Sequence, residues 1–250
     1  MNNSISTVNN AIILAAGFAS RFVPLSLETP KGLLKVHGEV LIERQIRQLK
    51  EAGISEIIVV TGYKQEKFQY LADTFDIKLV HNSEFDIRNN HSSIWAVRNY
   101  LSNSYICSSD NYFAENVFSK TFERPYYSAL YSDGPTNEYC LTTDDNDLIN
   151  GVSIGGSNSW YMLGHVLWDN NFSQKFLTIL EAEYNLPVTT DRLWEQIYME
   201  HLAELKLYIK KYNHSTIYEF DSLDELCLFD SSYVEYRDSL AKNYVNNPAN

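Results

Sequence analysis

Short apolar runs alternate with amphipathic segments through the first half of the chain, and the two patterns require different elements. The runs at residues 11–16 (AIILAA), 56–61, 77–80 and 104–109 are continuous enough to be buried strands rather than half-exposed ones. Between them, residues 41–52 (LIERQIRQLKEA) place Ile42, Ile46 and Leu49 on one helical face, and Gly53 is a stop signal. Residues 64–73 and 92–101 carry the same helical spacing. Strands alternating with helices predict a parallel sheet covered on both faces.

After about residue 125 the texture changes. Residues 126–131, 139–142, 148–154 and 161–168 read as short strands separated by Asp, Asn and Gly turns, with Asp144 to Asp147 at a hairpin tip. Helices follow at 172–184 and 191–202, then strands at 205–210 and 216–220 and a closing helix at 223–229. The expected fold is therefore α/β: a Rossmann-like, mostly parallel sheet flanked by helices, with a small β-rich insert over its open edge. Residues 1–9 are expected to be disordered, 10–232 to form one domain, and 233–250 to be a loose polar tail.

Composition narrows the class. At 250 residues, 44% of them hydrophobic, the chain can bury one substantial core. A formal net charge of −12 argues against nucleic acid or an anionic membrane as the main partner, since both select for basic surfaces. Cys107, Cys140 and Cys227 are widely spaced with no CxxC pair, which fits reduced thiols in a cytoplasmic protein. No segment approaches the roughly 20 apolar residues of a membrane span. The 18 tyrosines could serve a homo-oligomer interface.

The densest chemistry lies between Ala11 and Lys31. After the first strand, the Gly17-Phe18-Ala19-Ser20 loop is small enough for backbone N–H groups to approach a phosphate. Arg21 and Lys31 add two positive charges, so a polyanion is the expected ligand. Two acidic residues fall at the carboxyl ends of later strands, Asp110 and Asp221, where open α/β sheets bind ligands. Carboxylates so placed suit Mg2+, which takes a few hard oxygens and fills its shell from phosphate and water; each could equally be a turn or cap residue. Glu219, two residues before Asp221, is expected to face elsewhere.

The string LAAGxxSRxxPLxxxTPKxL, from Leu14 to Leu33, resembles the signature of the nucleotidyltransferases that activate sugar phosphates and phosphocholine. With Asn89-Asn90-His91-Ser92-Ser93, Ser109-Asp110-Asn111-Tyr112, Thr136-Asn137-Glu138-Tyr139 and Tyr218 to Ser222, the similarity narrows to the bacterial phosphocholine cytidylyltransferases over roughly residues 10–230. The resemblance implies a loop of Leu14, Ala15, Ala16, Gly17 and Ser20 around CTP, with Arg21 and Lys31 on its phosphates. It also implies Asn89 and Ser93 near the pyrimidine nucleotide, Mg2+ on Asp110 and Asp221, and catalysis by Lys31, Arg21 and Asp110. Residues 10–124 would then hold the nucleotide and 125–232 the acceptor.

A phospho-amine acceptor needs aromatic faces and a carboxylate, and Tyr139, Trp160, Trp168, Trp194, Asp191 and Glu195 supply both; Tyr139, Trp160, Trp194 and Asp191 are the expected pocket residues. Two departures from the family pattern stand out: Ala19 replaces a second loop glycine, and Leu193 replaces a tyrosine. Phosphocholine is the expected acceptor, but the second removes one wall of a choline cage, a loss that a primary ammonium, as in phosphoethanolamine or 2-aminoethylphosphonate, would tolerate. A sugar 1-phosphate acceptor and a nucleotide-binding regulatory module without turnover are the alternatives, which pyrophosphate release with CTP would separate.

Overall fold

The computed structural model describes residues 5–246. Seven strands make the main sheet: β1 (Asn10–Ala15), β2 (Glu56–Thr61), β3 (Lys78–His81), β4 (Ser104–Ser108), β5 (Tyr126–Thr143), β6 (Ile149–Trp168) and β7 (Tyr208–Lys211). They lie in the order β7-β5-β6-β4-β1-β2-β3. Only β6 opposes the rest: it is antiparallel to β4 and β5, whereas β1 is parallel to β2 and β4, β2 to β3, and β5 to β7. The mostly parallel sheet expected from the alternating pattern is the one formed.

Successive residues of each buried strand serve opposite faces. Ile12, Ile58, Val60 and Ile106 enter one core with Ile94, Phe172, Phe176 and Ile197 of the helices His91–Ala96, Asn170–Glu183 and Trp194–Glu200. Ala11, Ile13, Ile57 and Val59 enter the other, beneath Ile42, Ile46 and Leu49 of the helix Leu41–Glu51. Those three helical side chains are wholly buried, each contributing about 1.5–3 kcal/mol of apolar transfer.

The second half departs from its expected short strands. β5 and β6 are each one long strand, paired from Tyr126↔Leu167 near the sheet to Thr143↔Ile149 beside the Asp144–Asp147 tip. The turn-like stretches that split them on paper face each other, with Pro135 opposite Ser157 and Thr136 opposite Gly156. Register shifts flank both, and Gly134 and Gly155 hold left-handed backbones (φ +112° and +77°). Glycine and asparagine here make bulges inside a ribbon rather than turns that end it.

The described residues near each end of the chain are more ordered than expected. Residues 1–4 and 247–250 lie outside the described residues. Ser6–Thr7, however, pairs antiparallel with Thr121–Phe122, and Val8 is fully buried, so the segment just before β1 is part of the fold. Beyond residue 233 the chain is helical over Val234–Asn246, and Tyr233 and Tyr236 pack against the cluster of Phe22, Leu41 and Phe220.

Candidate functional site

The carboxyl ends of β1 and β4, the loop after β1 and the flank of the β5–β6 ribbon enclose a cleft of about 670 Å³. Leu14, Ala15, Ala16 and Gly17 form one wall, and a Cβ on Gly17 would meet no protein atom, so its backbone fronts open space. Ala19 adopts the left-handed region (φ 53°, ψ 59°), a conformation glycine takes freely and that costs an L-residue about 1–2 kcal/mol. The position where the family pattern carries glycine is thus one whose backbone asks for it, and Ala19 accepts the same shape. Ser20, expected in the cradle, opens the short 3-10 turn Ser20–Phe22 and does not line the cleft.

Two cations reach this cleft by different routes. Arg21 stands at the mouth, largely open to solvent, and pairs with the half-buried Asp221 at 2.7 Å. Lys31 is mostly sheltered, its ammonium 5.0 Å from the Phe22 ring centroid and donating to Asp110 Oδ2 at 2.7 Å. That ion pair depends on a close approach: a Cβ on Gly32 would lie 2.7 Å from Ser109 Oγ. The turn carrying Asp110 is held by Gln45, whose amide donates to the carbonyls of Ser108 and Asn111 at 2.9 Å each. Gln45 was not singled out from the sequence, though a glutamine within the apolar face of residues 41–52 was the available signal.

Burial opposes ionisation of Asp110, but the charge of Lys31 and its hydrogen bond outweigh it and hold the carboxyl below its ordinary value. Glu219 does not face elsewhere. Strand residues two apart share a face, and Glu219 and Asp221 both line the cleft. Burial and the Asp110 carboxylate, with lesser contributions from Asp221 and Glu138, push Glu219 up to about 8 against the pull of Lys31. Its side chain opens onto the cleft while protein walls surround it.

Among the described residues no three His, Cys, Asp or Glu side chains converge as a ready-made metal cluster. A cation here would take one or two carboxylates and complete its shell from phosphate and water, as magnesium does. Asp110 Oδ1, buried without a hydrogen-bond partner, and Glu219, repelled by neighbouring carboxylates, are acceptors that fit such an ion.

The segment expected to hold the pyrimidine nucleotide is tied to the second half of the chain. Asn89 Nδ2 donates to the Asp191 carbonyl (3.0 Å), and His91 Nδ1 donates to that of Arg192 (2.7 Å). Asn90 accepts the Trp194 N–H (2.7 Å) and donates to Glu195 (3.1 Å). Asn89 and Ser93 do front the cleft, and Ser93 Oγ accepts a hydrogen bond from the buried Asn82 amide at 3.1 Å.

The far end of the cleft is aromatic. Tyr127, Tyr139 and Trp194 line it, with Trp194 stacked on Tyr127 (centroids 5.8 Å apart, planes 13° apart). Glu195 faces the same space; burial pushes it up to about 7 although the Asn90 hydrogen bond favours its charged form. Two expected pocket residues stand apart. Trp160 packs edge-on against Tyr131 at 5.3 Å with Lys211 over its ring, and the Asp191 side chain is exposed beyond the cleft. Trp168 is fully buried in the core. Tyr127, missed from the sequence, sits within an apolar run that gave no sign of a ligand wall.

A parallel sheet whose strand ends present a small-residue loop, two cations and carboxylates defines a nucleotidyltransferase, and the MobA-like NTP transferase domain family matches residues 11–116. The choline-phosphate cytidylyltransferase of Streptococcus pneumoniae is 33% identical over 86% of this chain and 94% of its own length. The 2-aminoethylphosphonate cytidylyltransferase of Lancefieldella rimae is 34% identical over 90% of this chain and 93% of its own. A solved structure of the CTP:phosphocholine cytidylyltransferase from S. pneumoniae matches with a TM-score of 0.84 at 33% identity, covering 88% of this chain and 96% of that one. The chain belongs to this family of bacterial cytidylyltransferases. Among the described residues no helix is long and apolar enough to cross a membrane.

Proposed function

We propose that this chain transfers the cytidylyl group of CTP to a small phosphorylated amine, phosphocholine foremost, releasing pyrophosphate and a CDP-linked headgroup. One observation carries the reading: a single cleft joins a pole of Lys31, Arg21 and Asp110 to a pole of Tyr127, Tyr139, Trp194 and Glu195. A zwitterion with an anionic phosphate and a cationic head spans two such poles in only one direction. The likeness to cytidylyltransferases acting on two different phospho-amines supports the same reaction class. Residues 10–124 supply most of the nucleotide wall and 125–232 most of the acceptor wall. Three buried free cysteines are consistent with the reducing cytoplasm as its compartment.

In this reading the triphosphate lies against the backbone of Ala15 to Gly17, and Arg21 and Lys31 leave their carboxylate partners to neutralise it. The acceptor's phosphate oxygen is already anionic, so its attack on the α-phosphorus needs no general base. Mg2+, held by Asp110 with Glu219 or Asp221, would supply further neutralisation of the phosphates. Tyr139 and Trp194 bind the ammonium through their faces, and Glu195 supplies its countercharge. A primary amine is the second reading, favoured by Leu193, whose aliphatic side chain lines the cleft where the family pattern has tyrosine.

The test is pyrophosphate release with CTP and Mg2+ against phosphocholine, phosphoethanolamine, 2-aminoethylphosphonate and glucose 1-phosphate. Turnover with an amine and not the sugar is expected. Turnover with glucose 1-phosphate alone, or none with any of the four, would overturn the proposal.

A further inference from the structure

The helix Trp194–Glu200 carries both an aromatic wall and the carboxylate of the headgroup pole, so whatever fixes its first turn fixes that pole. A helix start leaves backbone N–H groups without partners, normally met by a polar side chain at the capping position. Here that position is Leu193, which has no polar atom to offer. Two glutamine and asparagine side chains take over: Gln196 Oε1 accepts the Leu193 N–H at 2.8 Å, and Asn90 Oδ1 accepts the Trp194 N–H at 2.7 Å. Asn90 comes from far away in sequence, from the turn after Asn89 that opens the helix His91–Ala96, on which Ser93 lies.

The other end of the same amide completes the arrangement. Asn90 Nδ2 donates to Glu195 Oε2 at 3.1 Å, and among the described residues no other side chain donates to Glu195. An amide has its acceptor and donors on opposite atoms, so both contacts can be made in one orientation only. We infer that Asn90 is a positioning residue for acceptor recognition: from the nucleotide side of the cleft, its one amide sets the start of the Trp194–Glu200 helix and aims the Glu195 carboxyl at the ammonium head. This rests on the phospho-amine reading above. It makes the headgroup carboxylate dependent on a side chain outside the acceptor half.

The charge on Glu195 needs that support. The titratable groups that feel it from the neighbouring strands are the phenols of Tyr127 and Tyr139, both pushed up by its presence as well as by burial. Arg192, on the preceding turn, is engaged with Glu183 and Glu200 instead. His91, next to Asn90, is held neutral by burial. A charge-assisted hydrogen bond to a carboxylate in such surroundings is worth about ten- to a hundredfold in binding.

Asn90→Asp separates the two contacts, because it keeps an acceptor for the Trp194 N–H and replaces the donor by a second carboxylate. Steady-state kinetics should show the KM for the phospho-amine raised about tenfold or more, with the KM for CTP and kcat at saturating acceptor changed far less. The pH at which acceptor KM begins to climb on acidification should move upward, because Glu195 loses its donor and gains a repelling neighbour. In a Glu195→Gln background the same substitution should add little, as a double-mutant cycle reads directly. Calorimetric CTP binding to each variant checks that the nucleotide half is intact. If the parent enzyme uses no phospho-amine, the functional reading fails. If the parent does and Asn90→Asp leaves acceptor KM and its pH profile unchanged, or raises the KM for CTP equally, the role of Asn90 is refuted.

Discussion

Adding one methyl group at Gly32 measures how much the catalytic geometry depends on backbone proximity. A Cβ there would stand 2.7 Å from Ser109 Oγ, 2.8 Å from Ser109 Cβ and 3.2 Å from the Ser109 carbonyl oxygen. Carbon contacts settle at about 3.5–4.0 Å, so relief requires the two segments to part by nearly 1 Å. Lys31 and Asp110 are the immediate neighbours of Gly32 and Ser109, and a movement of that size stretches their 2.7 Å ion pair beyond hydrogen-bond reach. Overpacking of this kind costs about 1–3 kcal/mol, and a 1 Å misplacement of a positioning group about a hundredfold in turnover. Gly32→Ala should therefore lose stability in a urea melt and most of its pyrophosphate release. Ser109→Gly removes the two nearest atoms and, combined with Gly32→Ala, should recover much of both losses relative to its own single-variant control. A Gly32→Ala protein as stable and as active as the parent would show that the Lys31–Asp110 pair does not depend on this close approach.

Asp110→Asn should lower turnover about a hundredfold to a thousandfold while circular dichroism shows the fold retained; near-parental turnover would remove Asp110 from the machinery. The same variant leaves Lys31 buried without its partner, and a destabilisation of about 3 kcal/mol in the absence of substrate is expected from denaturant unfolding. Asp230 accepts the backbone N–H of His37 at 2.7 Å and of Ser232 at 3.0 Å; burial opposes its ionisation, but these bonds hold it below the ordinary 3.8. Asp230→Ala should cost about 1 kcal/mol near neutral pH. Because the native carboxyl titrates lower than the unfolded one, that stability is present above the unfolded value and vanishes as pH falls through the native one. Urea melts of parent and variant should converge in that acidic window, and a constant gap down to pH 2 would contradict the assignment.

The parallel half of the fold was legible because its signals are local: continuous apolar runs, a helical face of Ile42, Ile46 and Leu49, and glycine at the helix end. The β5–β6 ribbon was not, because Gly134, Pro135, Gly155 and Asn158 look like turn residues one strand at a time and become bulges only when paired. Lys31 and Asp110 could be chosen from the sequence, since strand ends and a loop motif point to them. Gln45 and Asn90 could not be given their roles, because their partners are backbone groups and a carboxylate set by tertiary contact. Glu219 lines the cleft with Asp221, contrary to expectation, because alternation in a strand brings residues two apart to the same side.

The bulged midsection of the ribbon also bears on how such a chain can diversify. Tyr127 and Tyr139 sit on one continuous strand, the first where it joins the sheet and the second out beyond Gly134. Between and opposite them, residues 132–138 and 155–159 pair with each other rather than with any other strand. Changes of length or shape there would reshape one wall of the headgroup space while β1, its loop and the Asp110 turn keep their register. The ribbon is not wholly separate from the phosphate end, because Glu138 within it lines the same cleft and bears on Glu219 and Asp221; in the proposed reading, changes that spare Glu138 would alter the acceptor wall with least effect on the transfer chemistry.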